Sequence, residues 1–279
     1  MTSLVTGASG FLGTALVRLL ESQGRTVLGW SRDDALALDG IDEVFHLASP
    51  VDPSRDADMG AMLEGVVGLT ERVAQACLQT DVRLVHVGTC EEYGDGPSPF
   101  YEDQLPQPVS PYSTAKVAAT LRVLALHRTR GLRVTVARPF LSYGPGQTGE
   151  RLIPSAIRSA LAGEPFAMTE GHQSREVNYV EDTVRGLALC ARPEVQGRII
   201  NIGGGPEITV RALVERIFDL AGADRSLLRV GALPTREGEI SRFVGNHQRA
   251  RMILGHLPRV PLEEGLRRTM HACSSSSSP

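Results

Sequence analysis

Tyr112 and Lys116 are the first residues in this sequence whose types and spacing could do chemistry. They lie in the stretch SPYSTAKVAAT, and Lys116 is the single lysine among 29 lysine and arginine residues. On a helix, side chains four positions apart share one face. An ammonium beside a phenol favours the phenolate and lowers its pKa, so the pair predicts proton transfer by Tyr112. Arginine is wider and hardly changes its protonation state, which explains why a lysine is kept here.

Thr89 is the third member of this predicted reaction centre. It lies in VGTCEEYG, directly after the apolar stretch VRLVHV, which has the composition of a buried strand. The sequence therefore predicts Thr89 at the carboxyl end of that strand, where its hydroxyl can bond a substrate hydroxyl or carbonyl oxygen. Glu92, three residues later, is expected to face a polar rim.

The stretch LVTGASGFLG predicts a dinucleotide-binding turn between the first strand and the first helix. Gly7 permits a tight turn, Gly10 lets the backbone approach a pyrophosphate, and Gly13 allows the helix to pack closely. The helix N-terminus favours the phosphate charge. The residues predicted to contact the cofactor are Gly7, Ser9, Gly10, Phe11, Leu12, Gly13, Ser31, Arg32, Leu47, Ala48, Ser49, Tyr112, Lys116 and Pro139.

The residues after the second strand bear on which dinucleotide is bound. An acidic residue here usually holds the ribose 2′-hydroxyl of NAD, whereas an arginine suits the 2′-phosphate of NADP. Ser31 and Arg32 stand at this place and favour NADP(H). Asp33 and Asp34 follow them and leave NAD(H) open. A second interpretation is that Arg32 is only a solvated side chain in an arginine-rich protein.

The order of apolar and helical patterns predicts the fold. Short apolar strands alternate with helices, which is typical of a parallel sheet covered on both faces. We expect an α/β, Rossmann-type doubly wound parallel sheet with a smaller C-terminal substrate-binding lobe. The dinucleotide-binding domain is expected at 1–140, with segments around 177–203 completing its sheet, the lobe mainly at 141–272, and a disordered tail at 273–279. Helices are expected at 11–23, 58–79, 112–130, 151–162, 180–191, 209–221 and 261–272.

Composition and charge argue against several classes of protein. A chain of 279 residues with 42% hydrophobic and 22% charged residues is ordinary for a globular protein. The net charge of −3 argues against a nucleic-acid partner. The cysteines form no CxxC pair and the histidines have no ligand spacing, so neither a disulfide framework nor a metal site is expected. With no signal-like N-terminus and no long apolar run, we expect a cytoplasmic protein without a membrane partner.

The motifs together resemble a known enzyme family. The glycine turn, Thr89, the Tyr112–Lys116 pair, and the stretches ARPFLSYGPGQ, GHQSREVNYVEDT and LEEGLRRT are similar to the extended short-chain dehydrogenase/reductases of the NAD(P)-dependent nucleotide-sugar epimerase/dehydratase group. The resemblance covers roughly residues 2–270. It implies a nucleotide-diphosphate sugar as substrate, and a homodimer formed through the helices at 58–79 and 112–130.

The resemblance also implies roles for residues in the second half of the chain. Arg175 and Arg236 would contact the diphosphate, and Glu239 would help to hold the nucleotide ribose. Leu141 stands where many relatives carry an asparagine that contacts the diphosphate or the sugar. The contact at Leu141 therefore departs from the family pattern.

Within this group, the residues after Thr89 bear on the reaction. Sugar 4,6-dehydratases carry Thr-Asp-Glu or Thr-Ser-Glu, in which the glutamate acts as base at C5, so Glu91 takes the place of the base and Cys90 that of the aspartate or serine. Thr-Cys-Glu is similar to the tunicamycin-pathway enzyme that makes an exo-glycal by 5,6-dehydration. The sequence also resembles GDP-4-keto-6-deoxymannose reductases, through the EEYG form, the Ser31–Arg32 pair and a motif formed by Gly245, Asn246 and Arg249. The competing interpretations are that Cys90 is a small buried residue, which such a cysteine more often is, and that Glu91 only shapes the pocket or bonds a sugar hydroxyl.

Three functions follow from these patterns. The preferred hypothesis is an NADPH-dependent 4-keto-sugar reductase in which Tyr112 donates the proton, Lys116 lowers its pKa and holds the ribose, and Thr89 polarises the carbonyl. The alternative is a redox-neutral dehydratase, decarboxylase or epimerase with tightly bound NAD(P)+ and Glu91 as base. A non-catalytic nucleotide-binding redox sensor is the third hypothesis, and the intact Thr-Tyr-Lys set argues against it.

Overall fold

A six-stranded parallel sheet forms the centre of the protein. The computed structural model describes residues 1–31, 35–50, 57–148, 151–235 and 238–275. The strands of this sheet are β1 Thr2–Thr6, β2 Thr26–Trp30, β3 Glu43–His46, β4 Arg83–Val87, β5 Val134–Pro139 and β10 Ile199–Ile202. Their order across the sheet is β10-β5-β4-β3-β1-β2. Every pairing between neighbours is parallel.

The helices lie at or close to the places that the apolar spacing predicts. They are α1 Phe11–Ser22, α2 Met59–Met62, α3 Leu69–Thr80, α4 Pro111–Arg130, α5 Leu152–Ala162, α6 Val180–Leu189, α7 Val210–Ala221 and α8 Leu262–Ser275, with π-helical turns at Leu63–Gly68 and Ala250–Leu254 and short 3-10 turns at Cys90–Tyr93, Pro193–Val195 and Arg225–Leu227. The single helix expected at 58–79 is thus divided by a π-helical turn. A Cβ at Gly65 in this turn would lie 2.8 Å from the Pro50 side chain, so a glycine is needed for the close approach.

The two faces of the sheet bury alternate residues of each strand. Leu4 and Leu84 belong to the apolar cluster that includes side chains of α3 and α4, whereas Val5 and Val85 belong to the cluster that includes side chains of α1 and α6. This period of two is what a strand buried on both faces requires. Full burial of each such side chain contributes about 1.5–3 kcal/mol to stability.

The strand order reverses between β1 and β3, because β2 lies on one side of β1 and the chain then crosses to β3 on the other. Loops that follow two strands diverging in this way leave a crevice at the carboxyl edge of the sheet, and ligands of open α/β sheets bind there. The segments after β1, β3 and β4 are those that carry the glycine turn, Leu47–Ser49 and Thr89. The fold therefore brings the predicted cofactor and reaction residues to one edge.

The remaining strands and helices form smaller units beside the sheet. Their strands are β6 Ser142–Tyr143, β7 Phe166–Ala167, β8 Ser174–Glu176, β9 Asn178–Tyr179, β11 Glu207–Thr209, β12 Leu228–Arg229 and β13 Arg242–Phe243. They pair as β11-β8-β13, β12-β7 and β6-β9. Their apolar side chains, such as Ile157, Phe218 and Leu266, join the cluster that covers one face of the large sheet. The core is therefore continuous between the two parts.

The C-terminal end departs from the expectation of a disordered tail beginning at residue 273. Helix α8 continues through Ser275, because Cys273 is partly buried against the main apolar cluster and the Ser274 hydroxyl donates to the Met270 carbonyl at 3.2 Å. Residues 276–279 lie outside the described part of the chain. In the part that is described, no helix is long and apolar enough to cross a membrane. The same part contains no cluster of three metal-ligating side chains.

Candidate active site

Thr89 stands at the carboxyl end of β4 and begins a short 3-10 turn. Its hydroxyl oxygen accepts a hydrogen bond from the Glu91 amide at 3.3 Å, and its own amide donates to the Glu92 carboxylate at 2.9 Å. This reciprocal arrangement satisfies backbone donors that the start of a helical turn leaves without partners. It also fixes the direction in which Thr89, Cys90 and Glu91 leave the strand.

Glu92 does not face a polar rim, and that prediction was wrong. Its side chain is fully buried and pairs with the guanidinium of Arg138 on β5. Nη2 and Nε of Arg138 donate to the same carboxylate oxygen of Glu92, at 2.7 and 3.1 Å. The Arg138 guanidinium also lies 4.5 Å from the centre of the Tyr93 ring. A buried charge needs such partners, because desolvation is otherwise too costly. The Glu92–Arg138 pair therefore anchors the turn that carries Thr89.

Glu92→Gln is expected to lower the free energy of unfolding by roughly 3–5 kcal/mol, since it leaves the buried Arg138 charge without its counter-charge. Urea denaturation followed by circular dichroism measures this change. The matched control is Glu71→Gln, which breaks a half-exposed pair with Arg122 and should change stability little. Equal, small losses in both variants would show that Arg138 does not depend on Glu92.

Tyr112 and Lys116 lie in the first turns of α4, as the sequence predicts. The helix begins at Pro111 after Ser110, whose hydroxyl oxygen accepts from the Ser113 amide at 3.1 Å. Tyr112 packs with Val66 of the π-helical turn. Lys116 is buried, and its ammonium donates to the carbonyl of Val87, the last residue of β4, at 2.9 Å. The lysine thus ties the helix to the strand that positions Thr89.

Burial decides the protonation of both side chains. It raises the pKa of Tyr112 above the ordinary value, and the charge of Glu91 adds to this effect, whereas a hydrogen bond from the Thr89 hydroxyl acts in the opposite direction. Burial lowers the pKa of Lys116 to about 8, against the attraction of Glu92 and Glu91. In the absence of cofactor, desolvation thus raises the Tyr112 pKa, whereas the sequence predicts that Lys116 lowers it.

Lys116→Met is expected to stabilise the nucleotide-free protein while abolishing activity. The lowering of the Lys116 pKa from 10.5 to about 8 corresponds to roughly 3 kcal/mol against the charged form. Below pH 8 the Lys116 amine is protonated in both the native and the unfolded chain, so the native state bears the full cost of burying its charge. Between about pH 8 and 10.5 the unfolded chain binds more protons than the native one, so wild-type stability rises with pH.

Chemical denaturation at a series of pH values measures this difference. At pH 7 the Lys116→Met variant should be more stable by roughly 2–3 kcal/mol, and the gap should narrow as the pH rises toward 10. If the difference in stability between variant and wild type did not change with pH, or if the variant were less stable at neutral pH, burial of Lys116 would carry no desolvation penalty.

Cys90 and Glu91 complete the cluster at the end of β4. Glu91 is half-buried, and burial raises the pKa of its carboxyl, against the charges of Arg151 and Lys116. Burial also raises the pKa of the Cys90 thiol well above its ordinary value, and the charges of Glu91 and Glu176 add to this. At neutral pH the site therefore holds a protonated thiol beside a carboxyl group with an increased proton affinity. A carboxylate of this kind is suited to act as a base.

Two buried histidines beneath Lys116 were missed by the sequence reasoning. His46 and His86 are register partners on β3 and β4, with ring centres 5.7 Å apart. Burial and the Lys116 charge lower the pKa of His46 to about 3, and burial lowers that of His86 strongly as well. Both rings are therefore neutral at physiological pH. The signal was available, since a histidine stands at matching positions in EVFHLAS and VRLVHVGT.

The glycine turn has the geometry that a bound dinucleotide needs. Gly7 has a φ of +72°, and a Cβ there would lie 2.9 Å from the Ala48 amide nitrogen. A Cβ at Gly13 would lie 2.0 Å from the Gly7 carbonyl oxygen. No side chain caps the first turn of α1 at Gly10, which leaves its amides available for phosphate oxygens. The residues fit a dinucleotide, and the turn lies close to the segment after β3.

The other predicted cofactor residues are only partly described. The Leu47 amide donates to the Thr6 carbonyl, and the Ala48 amide donates to the Thr6 hydroxyl oxygen. Pro139 is the last residue of β5. Ser49 lies after β3, and Ser9, Phe11 and Leu12 lie in or beside the glycine turn. Ser31 is exposed after β2. Arg32 lies outside the described residues, so its contact with the cofactor remains a prediction.

Arg175, one of the two residues predicted for the diphosphate, lies in the small three-stranded β-sheet of β11, β8 and β13. Arg175 on β8 forms an ion pair with Glu239 and donates to the carbonyls of Ser174 and Ile240 at 2.8 Å each. Leu141 is exposed after β5. Arg236 lies outside the described residues.

The motif that resembles keto-sugar reductases makes contacts within the chain. The Gly245 amide donates to the Glu176 carboxylate at 3.0 Å, and the Asn246 amide donates to the Phe100 carbonyl at 2.8 Å. Arg249 binds the Asp103 carboxylate at 2.8 Å. These contacts hold the C-terminal segment against the loop after β4. The three motif residues therefore have structural roles in this fold, and their presence does not by itself indicate a keto-sugar reductase.

Comparisons with known proteins decide the family. The model of the NAD dependent epimerase/dehydratase family matches residues 3–203. The chain belongs to this family. A dTDP-glucose 4,6-dehydratase of Streptomyces niveus is 34% identical over 242 residues, covering 85% of this chain and 71% of the relative.

Solved structures are similar over nearly the whole chain. DesIV from Streptomyces venezuelae, a dTDP-glucose 4,6-dehydratase with NAD bound, has a TM-score of 0.87 at 31% identity and covers 99% of this chain and 97% of its own. A UDP-glucose 4-epimerase from Thermotoga maritima has a TM-score of 0.90 at 25% identity and covers both chains fully.

These comparisons confirm the family resemblance and the Rossmann-type fold that the sequence predicts. The protein is an enzyme of the extended short-chain dehydrogenase type. The neighbours support binding of NAD(H), whereas the preference for NADP(H) remains a prediction. They also favour the redox-neutral alternative over the keto-sugar reductase that was the preferred hypothesis.

Proposed function

We propose that this protein is a redox-neutral, NAD(P)-dependent nucleotide-sugar dehydratase that removes water across C5 and C6 of a hexose. The observation that carries the proposal is the Glu91 carboxyl, whose pKa is raised by burial and which lies beside Tyr112 and Thr89. A reductase of a 4-keto group has no use for a base at C5, whereas an elimination requires one. The 4,6-dehydratases among its relatives support the same reaction.

The chain's own residues fit the steps of this reaction. When bound, NAD+ would supply a hydride acceptor next to C4 of the sugar and would return the hydride to C6 once water has left, and its positive nicotinamide would favour the Tyr112 phenolate. Tyr112 takes the proton of the C4 hydroxyl, and the Thr89 hydroxyl donates a hydrogen bond to the same oxygen. Lys116 holds the nicotinamide ribose. Glu91 then removes the proton at C5, which oxidation at C4 has made acidic.

Cys90 stands where the dehydratases carry an aspartate or serine. Its thiol stays protonated, because burial raises its pKa. In the proposed reaction it donates a hydrogen bond to the hydroxyl that leaves C6. That hydroxyl departs as water with the proton that Glu91 has taken from C5, and C5 takes a proton from solvent when the hydride returns to C6. A thiol of raised pKa is a weaker acid than a carboxylic acid, so the proposed elimination relies mainly on Glu91.

The sugar nucleotide is held at the small β-sheet in this proposal. Arg175 and Arg236 bind the diphosphate, and Glu239, now paired with Arg175, accepts from the nucleotide ribose. Leu141 would contact the sugar without the hydrogen bond of an asparagine. The division of the chain at residue 140 and the homodimer through α2, α3 and α4 also remain proposals. Exposed Leu63 and Leu121 are apolar side chains that such a dimer would cover.

A 4-epimerase is the second candidate, favoured by the protonated Cys90 and by the similarity to the Thermotoga maritima enzyme. Without an effective acid for the C6 hydroxyl, oxidation and reduction at C4 alone would exchange the configuration there. Thr89, Tyr112 and Lys116 would keep the same roles. Glu91 would then bond a sugar hydroxyl.

Product analysis separates these reactions. The purified enzyme with NAD+ is incubated with dTDP-glucose, UDP-glucose and GDP-mannose, and products are identified by mass spectrometry and chromatography. A product that has lost one water, formed without added reductant, is expected. An isomer of unchanged mass would identify an epimerase, and turnover only of a keto sugar with NADPH would identify the reductase.

Arg32→Asp is expected to shift dinucleotide preference from NADP+ toward NAD+, because it removes a partner of the 2′-phosphate and adds one for the 2′-hydroxyl. Loss of one charge-assisted hydrogen bond predicts a decrease of about tenfold or more in affinity for NADP+. Fluorescence titration of nucleotide-free protein with each dinucleotide measures the ratio. An unchanged ratio would remove Arg32 from the cofactor site.

A further inference from the structure

A cavity of about 380 Å³ lies at the amino edge of the sheet. Thr89, Tyr112 and Lys116 lie at the opposite, carboxyl edge. Residues at or just before the starts of β2, β3 and β4 line one side, among them Arg25, Glu43 and Arg83. Helix α6 and the chain after it line another side and contribute Arg185 and Arg192. The segment after the second π-helical turn closes the cavity with residues 255–257 and Arg259. Thr89 and Tyr112 are not part of this lining.

The lining is strongly basic in a chain whose net charge is −3. Five of the fifteen lining residues are arginines, and Glu43 is the one carboxylate among them. Glu43 is partly engaged, since one of its carboxylate oxygens pairs with Arg25 and accepts from the Ser3 hydroxyl, while the other is buried without a hydrogen-bond partner among the described residues. Arg185 pairs with Asp182 on its own helix. The remaining charge of the cavity is therefore positive.

Three of these arginines retain unused donors. Arg83 donates from Nη1 to the Ala191 carbonyl at 2.9 Å, while its buried Nε has no acceptor. The side chains of Arg192 and Arg259 are exposed and have no ion pair with any residue that the structure describes. The Arg259 backbone is nevertheless fixed, because its amide donates to the Asp182 carboxylate at 2.9 Å.

Some other arginines on the surface are paired within the chain. Arg225, for example, donates twice to Asp219, and Arg242 donates twice to Glu207, each at 2.6–2.8 Å. In those places a carboxylate of the chain satisfies the guanidinium. At the cavity, the side chains of Arg83, Arg192 and Arg259 have no such carboxylate partner among the residues that the structure describes.

We propose that this cavity is a binding site for a phosphate-bearing anion, with Arg83, Arg192 and Arg259 as its ligands. Guanidinium groups bind phosphate oxygens through paired, charge-assisted hydrogen bonds, and several of them around one cavity favour an anion with more than one charge. The volume is that of a small-molecule site and accommodates a pyrophosphate or the phosphates of a nucleotide. The site is separate from the proposed catalytic function and does not rest on it.

Isothermal titration with pyrophosphate tests the proposal, in a low-salt buffer free of phosphate. The protein is first saturated with NAD+ and a nucleoside diphosphate, so that the glycine turn and Arg175 are occupied. The test variant is Arg192→Gln/Arg259→Gln. The matched control is Arg18→Gln/Arg267→Gln, which removes the same charge from two exposed helical positions outside the cavity.

One equivalent of pyrophosphate is expected to bind to the saturated protein. The affinity should fall about tenfold or more in the cavity variant and stay unchanged in the control variant. No binding by the saturated protein, equal losses in both variants, or equally tight binding of citrate would overturn the proposal. A parallel titration with ADP identifies the source of the anion, since tighter binding than pyrophosphate indicates a nucleotide and similar binding indicates free phosphates.

Discussion

Tyr112→Phe is expected to lower kcat by roughly 10³-fold or more while dinucleotide and sugar nucleotide still bind. The hydroxyl is the group that exchanges a proton with the C4 oxygen, and proton transfer by a positioned side chain contributes about 10²–10⁴-fold. The ring remains in place, because it packs against Val66 and Ala115 and phenylalanine keeps that contact. Steady-state kinetics, together with the nucleotide content of the purified variant, measure the two effects separately.

The matched control for this variant is Tyr101→Phe, because Tyr101 is half exposed in the loop after β4. Its kinetics should stay within about twofold of the wild type. If Tyr112→Phe retained full activity, the proposed proton transfer would be refuted. If it lost bound dinucleotide as well, Tyr112 would serve binding and not the chemical step.

Glu91→Gln is expected to stop the reaction after its first step. Oxidation at C4 needs Tyr112, Thr89 and Lys116 and does not need Glu91. Adding sugar nucleotide to the NAD+-loaded variant should therefore raise absorbance at 340 nm without release of a dehydrated product. Loss of the base predicts a decrease of about 10²–10⁴-fold in product formation. Rapid mixing with detection at 340 nm, followed by product analysis, measures both steps.

The pH dependence provides a second readout for Glu91. The base acts as a carboxylate, so activity should fall as the pH drops through its pKa, which burial places above the ordinary value of 4.5. Glu164→Gln, at an exposed position, is the control and should keep the wild-type profile. Wild-type rates of dehydration in Glu91→Gln would remove the glutamate from the mechanism.

Much of the site could be predicted because its parts are local in sequence. The four-residue spacing of Tyr112 and Lys116 and the glycine turn each lie on one element or one turn. The elements themselves were visible because buried strands and amphipathic helices have different apolar periods. The fold then follows from their alternation.

The rest depends on contacts between distant strands. Glu92 reads as a polar residue after a strand, and only the packing of β4 against β5 shows that Arg138, 46 residues away, neutralises it. His46 and His86 meet because β3 and β4 pair in register, which no single stretch reveals. The pKa of Tyr112 was misjudged for the same reason, since burial is a property of the packed fold. The cavity at the amino edge of the sheet likewise joins three strands, a helix and a C-terminal segment.

The redox-neutral elimination is tested most directly with a nucleotide hexose that carries deuterium at C4, incubated with the enzyme and unlabelled NAD+. The account predicts a dehydrated product with the deuterium at C6, no label in free dinucleotide, and a solvent-derived hydrogen at C5. Deuterium that returns to C4 of an isomer would instead identify an epimerase. The account would be contradicted if the labelled hexose did not react with NAD+ while a nucleotide 4-keto sugar was reduced by NADPH. That result would favour the keto-sugar reductase hypothesis instead.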